Sequence, residues 1–219
     1  MSNSFYGETT IYNNLNPENL SVNTTLSNIL EIFTHWYKEA KVAYEKQQLQ
    51  NYNGFSLSTC FDNQPSSRYV LLGEYSQKGF IFYTNLNSRK SSNIKTNPKV
   101  AMLFYWGTLK RQIRIEGTAH IIDDFTADKY FANRPYLSKV GAWASKQSLE
   151  LKASKDLEYK VQAYSAKFPQ KVPRPPNWSG FTVQPHYFEF WEEREFRLHK
   201  RVFCSKIMED NWKTGLLYP

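Results

Sequence analysis

From residue 55 onward the chain alternates short β-rich runs with turn residues, and this pattern limits the possible folds more than any other feature of the sequence. β-branched and aromatic residues are concentrated in the runs 55–61, 68–72, 79–84, 100–106, 112–122, 181–191, 197–206 and 211–217. Several of these runs are joined by short polar turns, and strands joined in this way pair antiparallel. The sequence therefore predicts a mainly β protein with flanking helices, built as an antiparallel barrel rather than a parallel α/β sheet.

Apolar residues at steps of three and four predict an amphipathic helix over residues 26–47, with Phe33 and Trp36 on its buried face. Shorter helices are predicted at 88–96, 124–133, 137–145 and 157–168. Residues 1–24 are rich in Asn, Ser and Thr and have no hydrophobic period, which predicts a mobile N-terminal arm. Residues 25–219 are predicted to form a single domain, because this length suits one hydrophobic core.

Targeting and redox signals favour a cytoplasmic protein. The chain has no apolar run of about 18 residues that could span a membrane. Met1 to Thr10 lacks the basic start and apolar run of a secretion signal. Cys60 and Cys204 belong to no metal-binding or CxxC pattern, so we expect two reduced thiols.

The net charge of +8 is unevenly distributed. Residues 1–60 contain three basic and five acidic residues, whereas residues 61–219 contain 25 basic and 15 acidic residues. An excess of this kind favours an anionic partner, which could be nucleic acid, a membrane surface or a phosphorylated small molecule. The charge does not choose among them, but no run of five or six like charges occurs, which weighs against a nucleic-acid tail.

Two segments of the predicted barrel carry candidate anion or ring contacts. Arg89 and Lys90 open a predicted helix, where cations lie beside free backbone N–H groups. Gln112 and Arg114 share one face of a predicted strand, and a Gln amide can both donate to and accept from a flat polar ring. A solvated helix start and the wet face of a strand are the alternative interpretations.

Two further constellations suit a phosphorylated substrate. Tyr130, Arg134 and Ser138 follow at intervals of four around Pro135, and their hydroxyl and guanidinium groups suit a phosphate ester. On a strand, Arg197, His199 and Arg201 would point the same way and could orient an anionic ring. A helix cap around Pro135 and a structural histidine remain the alternatives.

Familiar motifs of other classes are missing from the sequence. It contains no GxGxxG after a strand, no P-loop, no HExxH and no GxSxG. The four histidines have no ligand spacing, so no metal site is predicted, and the basic residues do not interleave with aromatic residues as in an RNA-binding sheet.

Taken together, the segments resemble the pyridoxine/pyridoxamine 5′-phosphate oxidase family. The matching segments follow the family order and include Ser67-Arg68-Tyr69-Val70-Leu71-Leu72, Tyr83-Thr84-Asn85 with Ser88-Arg89-Lys90, Arg111-Gln112, Tyr130-Phe131 with Arg134-Pro135, Gly141-Ala142-Trp143-Ala144-Ser145-Lys146-Gln147-Ser148, Val172-Pro173-Arg174-Pro175-Pro176-Asn177-Trp178-Ser179-Gly180, Glu189-Phe190-Trp191 and Arg197-Leu198-His199-Lys200-Arg201. They cover about residues 54–219. The resemblance implies a split β-barrel homodimer with FMN at the subunit interface, with neither nucleic acid nor a membrane as partner.

The resemblance also implies site residues and an activity. The positions implied to hold FMN are Arg68, Val70, Leu71, Tyr83, Thr84, Arg89, Lys90, Gln112, Gln147, Ser148, Trp191 and Arg201. Tyr130, Arg134 and Ser138 are implied to bind the substrate phosphate, and Arg197 and His199 to lie over the substrate ring as the catalytic pair. The implied reaction oxidises pyridoxamine 5′-phosphate or pyridoxine 5′-phosphate to pyridoxal 5′-phosphate and reduces oxygen to hydrogen peroxide.

Two departures from the family fall on the substrate side. Gly73, followed by Glu74, stands where the family has a Lys that contacts the substrate phosphate. The N-terminal arm contains Tyr6 and Tyr12 but no Arg or Lys before residue 20. They keep two alternatives open: a related flavin oxidase acting on another small ring, as in phenazine biosynthesis, and a non-catalytic protein that binds flavin or pyridoxal phosphate. The missing cation also predicts that Gly73→Lys lowers the KM for pyridoxamine 5′-phosphate.

Overall fold

A computed structural model describes residues 15–219 of the chain. The strands are β1 (Asn23–Thr24), β2 (Gly54–Phe61), β3 (Gln64–Ser76), β4 (Gly79–Asn85), β5 (Lys99–Trp106), β6 (Arg111–Ile121), β7 (Trp178–Glu192), β8 (Lys200–Met208) and β9 (Asn211–Leu216). The helices are α1 (Leu26–Lys46), α2 (Arg89–Thr96), α3 (Asp124–Ala132), α4 (Tyr136–Ala144) and α5 (Ser154–Lys167). The predicted mainly β class with flanking helices is confirmed.

Six strands close into an antiparallel barrel in the order β7-β4-β3-β2-β5-β6, because β6 pairs back with β7. The long β7 makes this closure possible: its first half pairs with β4 and its second half with β8, while β6 runs along nearly all of it. Strands β8, β9 and β1 continue the sheet beyond β7. This closed barrel confirms the antiparallel barrel that the strand pattern predicts, and with its extension it is the split barrel that the resemblance implies.

Strand alternation supplies the core. Phe80 and Phe82 on β4 and Phe188 and Phe190 on β7 are at most 1 % exposed, and their intervening residues point outward. Helix α1 packs its apolar face against the barrel, where the Phe33 ring lies 5.0 Å from that of Phe80. Each such side chain contributes about 1.5–3 kcal/mol by leaving water. The outer faces of the same strands remain available for polar side chains.

The hairpin between β2 and β3 is tighter than the sequence predicted. Asp62 and Asn63 both have positive φ, +48° and +58°, and they form a two-residue turn that lets Phe61 pair with Gln64. The run predicted as residues 68–72 therefore extends over Gln64–Ser76. Pro65 is included in this ladder, opposite Cys60.

The described part of the predicted N-terminal arm forms regular structure. Residues Pro17–Asn19 form a 3-10 turn, and β1 pairs with β9, where Thr24 is 4 % exposed. The remainder of the predicted arm, with Tyr6 and Tyr12, lies outside the described residues. Across residues 15–219, no helix combines the length and apolar character needed to cross a membrane.

Candidate functional site

A cavity of about 830 Å³ opens beside the barrel, between β3, β4, the start of α2, the α3–α4 corner and the segment that follows α4. Twelve residues predicted from the sequence line it: Arg68, Val70, Leu71, Tyr83, Thr84, Arg89, Lys90, Tyr130, Arg134, Ser138, Gln147 and Ser148. The remaining lining residues are Ser66, Ser67, Tyr69, Asn85, Gly141, Ala142, Ser145 and Trp178. Among residues 15–219, its wall thus includes four cationic side chains and no carboxylate.

Lys90 lies at the floor of this cavity, on the first turn of α2. Its ammonium group donates to Thr84 Oγ1 at 3.1 Å, to Ser88 Oγ at 3.1 Å and to Gln147 Oε1 at 2.8 Å. The residue is only 7 % exposed, and burial, with a smaller effect from Arg68, lowers its pKa to about 8. A buried cation among neutral acceptors is costly, and an anion in the cavity would relieve that cost.

Arg68 is fixed beside Lys90 by the strand on which it lies. One guanidinium nitrogen donates to the Leu57 carbonyl oxygen and to Thr59 Oγ1, both at 2.9 Å. The other terminal nitrogen donates to Ser66 Oγ at 2.6 Å. Burial, and then the nearby charge of Arg89, lower the pKa of Arg68. The arrangement holds Arg68, Arg89 and Lys90 together despite their mutual repulsion, as an anion site requires.

The α3–α4 corner supplies the second cationic wall. The Tyr83 ring is stacked at 3.6 Å on that of Tyr130 and at 5.5 Å on that of Trp178. The Arg134 guanidinium lies 4.8 Å from the Trp178 ring, and its buried Nη1 has no hydrogen-bond partner in the described part of the chain. Burial lowers the pKa of Arg134. A buried donor without a partner is expensive, so Arg134 is set up to receive an acceptor from a ligand.

Gly73 is tied to the same aromatic stack. A Cβ atom at this position would lie 2.5 Å from Tyr83 Cε2, so the ring occupies the space of any side chain there. Tyr83 also donates to Glu74 Oε1 at 3.0 Å, and burial followed by this hydrogen bond raises the pKa of Tyr83. The missing side chain at residue 73 therefore lets Tyr83 lie flat against β3.

Three predicted cofactor residues lie apart from the cavity, on the outer face of β6, β7 and β8. Gln112, Trp191 and Arg201 stand directly opposite one another in the two ladders and so share one face. None of them lines the cavity of the described chain. A ligand that contacts both groups must therefore bridge two surfaces that one chain keeps separate.

The predicted stripe of Arg197, His199 and Arg201 on one strand is wrong. Strand β8 begins at Lys200, and residues Glu195–Arg197 form a 3-10 turn in which Phe196 and Arg197 have φ of +55° and +64°. Two consecutive left-handed residues turn the chain, so the two-residue side-chain period of a strand does not apply before residue 200.

The structure nevertheless links His199 to the Gln112–Trp191–Arg201 row. The His199 ring lies 4.7 Å from the Trp191 ring, and its Nδ1 accepts from the Arg194 backbone N–H at 3.2 Å. Arg197 is exposed in the preceding turn. Within residues 15–219 it contacts none of Gln112, Trp191 and Arg201, and it does not line the cavity. Left-handed conformations of non-Gly residues cost about 1–3 kcal/mol each and are concentrated at functional sites.

Sequence reasoning missed Ser66 and Trp178 among the lining residues. Ser66 lies two residues before Arg68 on β3, so the two-residue period of the strand places Ser66 on the same face as Arg68. Trp178 carried no comparable signal, because its stacking partners Tyr83 and Tyr130 lie far away in sequence.

The fold and the cavity define a class: a split barrel with a cationic cavity beside its sheet, lined by no carboxylate of the described residues and suited to a phosphorylated ligand. Residues 44–191 match the family model described as Pyridoxamine 5'-phosphate oxidase, and residues 178–219 match the Pyridoxine 5'-phosphate oxidase C-terminal dimerisation region. The chain belongs to the pyridoxamine 5′-phosphate oxidase family.

Relatives and solved structures agree with this assignment. The chain is 42% identical over 193 residues to a pyridoxine/pyridoxamine 5′-phosphate oxidase of Pelagibacter ubique, covering 87% of this chain and 91% of the relative. It is 44% identical over 192 residues to that of Sphingopyxis alaskensis, covering 87% of each. The crystal structure of PhzG from Burkholderia lata in complex with tetrahydrophenazine-1-carboxylic acid matches with a TM-score of 0.77 and 28% identity, over 85% of this chain and 92% of that one.

Proposed function

We propose that this chain is an FMN-dependent oxidase that converts pyridoxamine 5′-phosphate and pyridoxine 5′-phosphate to pyridoxal 5′-phosphate. In each case oxygen accepts two electrons and becomes hydrogen peroxide; the amine substrate also consumes water and releases ammonia. The observation that carries the proposal is the cavity wall, to which the described residues contribute Arg68, Arg89, Lys90 and Arg134 but no carboxylate. Four cations without carboxylate partners in one cavity are more than a single phosphate group would pair with, so the cavity suits two phosphates.

The residues fit the phosphate of FMN at one end of the cavity. Lys90 has three neutral acceptors and no ion pair, and neither Arg68 nor Arg89 has a carboxylate partner within the described chain. Thr84, Gln147 and Ser148 add hydroxyl and amide groups beside them. When bound, FMN supplies the two-electron acceptor, and the chain supplies binding and orientation.

At the other end, Tyr130, Arg134 and Ser138 bind the substrate phosphate. Their spacing around the α3–α4 corner presents one guanidinium and two hydroxyl groups to the same cavity. The unpartnered Nη1 of Arg134 is the donor that a phosphate oxygen would satisfy. Two phosphate sites in one cavity hold cofactor and substrate close together, which is the positioning that a two-substrate reaction needs.

The functional unit is a homodimer, as the match to the family's dimerisation region indicates. We place FMN at the interface, because Gln112, Trp191 and Arg201 lie outside the cavity of their own chain and would reach the cavity of a partner. In the same way, Arg197 and His199 would orient the substrate ring from the second protomer. Cys60 and Cys204 form no disulfide, which agrees with the predicted cytoplasmic location.

Steady-state hydrogen peroxide release tests the activity. Purified protein supplied with FMN is expected to release peroxide and form pyridoxal 5′-phosphate when pyridoxamine 5′-phosphate is added. Unphosphorylated pyridoxamine is the matched control, and it should be a much poorer substrate because it leaves Arg134 without a partner. A protein that binds FMN but turns over neither phosphorylated substrate would contradict the proposal.

A related oxidase acting on another small ring is the second candidate. Two observations favour it: the likeness to PhzG, and the Tyr83 ring in the space that a side chain at residue 73 would fill. Turnover of a tricyclic carboxylic acid in preference to pyridoxamine 5′-phosphate would support this candidate.

A further inference from the structure

Glu189 is a buried carboxylate on the outer face of the sheet, one row away from Gln112, Trp191 and Arg201. Its neighbours on β7, Phe188 and Phe190, point into the core, so Glu189 points to the opposite side. It is nevertheless only 1 % exposed. Acidic side chains are almost never buried unless they are paired, so Glu189 should have cationic partners that shield it from water.

Two guanidinium groups provide that cover. Arg114, directly opposite Glu189 on β6, donates from Nη1 to Oε2 at 2.8 Å. Arg201, diagonally placed on β8, donates from Nε to Oε1 at 2.8 Å. Each carboxylate oxygen thus holds one cation at charge-assisted hydrogen-bond distance.

The two cations depend on Glu189 to different degrees. Arg114 also pairs with the Glu116 carboxylate at 3.0 Å. Arg201 has Glu189 as its one carboxylate partner among residues 15–219, and this hydrogen bond raises the pKa of Arg201. Loss of the Glu189 charge would therefore release Arg201 more completely than Arg114.

The Arg201 guanidinium is held at two of its three nitrogens. Besides the bond from Nε to Glu189, Nη1 donates to the Tyr218 carbonyl oxygen at 2.9 Å. The third nitrogen, Nη2, makes no hydrogen bond within the described chain. Arg201 stands opposite Trp191 in the ladder, so Nη2 is a free donor beside the Gln112–Trp191–Arg201 row. Fixing a guanidinium in advance removes the rotamer entropy that it would otherwise lose on binding a ligand.

We propose that Glu189 is a positioning residue for FMN: its carboxylate holds Arg201 in the orientation in which Arg201 binds the cofactor. Glu189 does not touch the ligand and acts through Arg201 alone. The inference rests on the proposed function, because it takes FMN as the ligand of Arg201.

Binding of FMN to the cofactor-stripped, full-length protein tests the inference. Glu189→Gln keeps the shape of the side chain and removes its charge, and the FMN Kd, measured by quenching of flavin fluorescence, should rise at least about tenfold. Glu116→Gln is the matched control: it removes the other carboxylate of the same cluster but no contact to Arg201, and its Kd should stay within about twofold of wild type.

A double-mutant cycle separates positioning from a general structural effect. In an Arg201→Ala background, Glu189→Gln should cause no further loss of FMN affinity, because nothing remains for Glu189 to position. An equal loss in both backgrounds, or a wild-type Kd for Glu189→Gln, would overturn the inference. If Glu189→Gln does not fold, Glu189→Met, which also removes the charge at a similar side-chain length, replaces it in the same cycle, with the same two outcomes decisive.

The same titration distinguishes this inference from the proposed function. Wild-type protein that fails to bind FMN would refute the proposed function. Wild-type protein that binds FMN, together with an unchanged Kd for Glu189→Gln, would refute the role of Glu189 alone.

Discussion

Lys90 lies buried among neutral hydrogen-bond acceptors, and this environment makes its charge sensitive to pH near neutrality. Its pKa is lowered to about 8, so the ammonium form is held at pH 7 and lost as the pH rises through 8 in the ligand-free protein. A phosphate binds the charged form, so binding above pH 8 must take up a proton.

We therefore expect the FMN Kd to increase above pH 8, by up to about tenfold per pH unit. Fluorescence titrations between pH 6.5 and 9.5 measure this increase. Lys90→Arg is the control, because a guanidinium stays protonated over that range and should give a flatter profile. Identical pH profiles for wild type and Lys90→Arg would show that Lys90 does not contact the anion.

Gly73 reverses one expectation from the sequence. Adding a cation there was expected to strengthen substrate binding, but any side chain at residue 73 meets the Tyr83 ring, which Glu74 and Tyr130 hold in place. We now expect both Gly73→Ala and Gly73→Lys to raise the KM for pyridoxamine 5′-phosphate, by at least about fivefold, through displacement of Tyr83. Steady-state kinetics of the two variants measure the effect. The ratio of their KM values separates the effect of the added lysine charge from that of the displaced ring. A wild-type KM for Gly73→Ala would show that the ring moves at no cost.

At the scale of the elements, we expect the α3–α4 corner to bind the substrate and not the cofactor. Helix α3 ends at Ala132 and Pro135 is the N-cap of α4, so Tyr130 on α3, Arg134 in the link and Ser138 on α4 face one cavity. Arg134→Gln should raise the KM for pyridoxamine 5′-phosphate by about 10- to 150-fold, the equivalent of 1.5–3 kcal/mol for a charge-assisted bond, with the FMN Kd within about twofold of wild type. An equal rise in the KM and in the FMN Kd would indicate that Arg134 contacts the cofactor rather than the substrate alone.

The elements also show what the sequence could and could not predict. Barrel strands with an apolar inner face, such as β4 and β6, were predicted within two residues, because their side-chain period records which face is buried. The same period failed at residues 197–199, which the sequence assigns to a strand, because Phe196 and Arg197 are left-handed although neither is Gly. It also gave no sign of β1, a two-residue strand whose position depends on pairing with the distant β9.

At the scale of the whole molecule, the barrel divides the candidate site between two surfaces. The sequence identified members of both from family order, but their separation follows from long-range pairing of β7 with β4, β6 and β8, which no local pattern encodes. Our proposal accounts for this division: two protomers share each site, one supplying the cavity and the other the Gln112–Trp191–Arg201 row.

Mixing two inactive variants tests this sharing. Lys90→Met removes a cavity cation and Arg201→Ala removes a cation of the row, so neither homodimer should hold FMN well. After refolding as an equal mixture, mixed dimers should contain one intact site each, and activity should recover to about a quarter of the wild-type sites. No recovery, with mixed dimers demonstrated by mass spectrometry, would place both side chains in the site of one chain.

The most direct test of the account is an absorption spectrum of the FMN-loaded protein recorded without oxygen, before and after addition of pyridoxamine 5′-phosphate. We predict that the yellow flavin band bleaches, that about one equivalent of pyridoxal 5′-phosphate forms per FMN, and that admitting air restores the band. A flavin band that stays unchanged in the presence of saturating pyridoxamine 5′-phosphate would contradict the account.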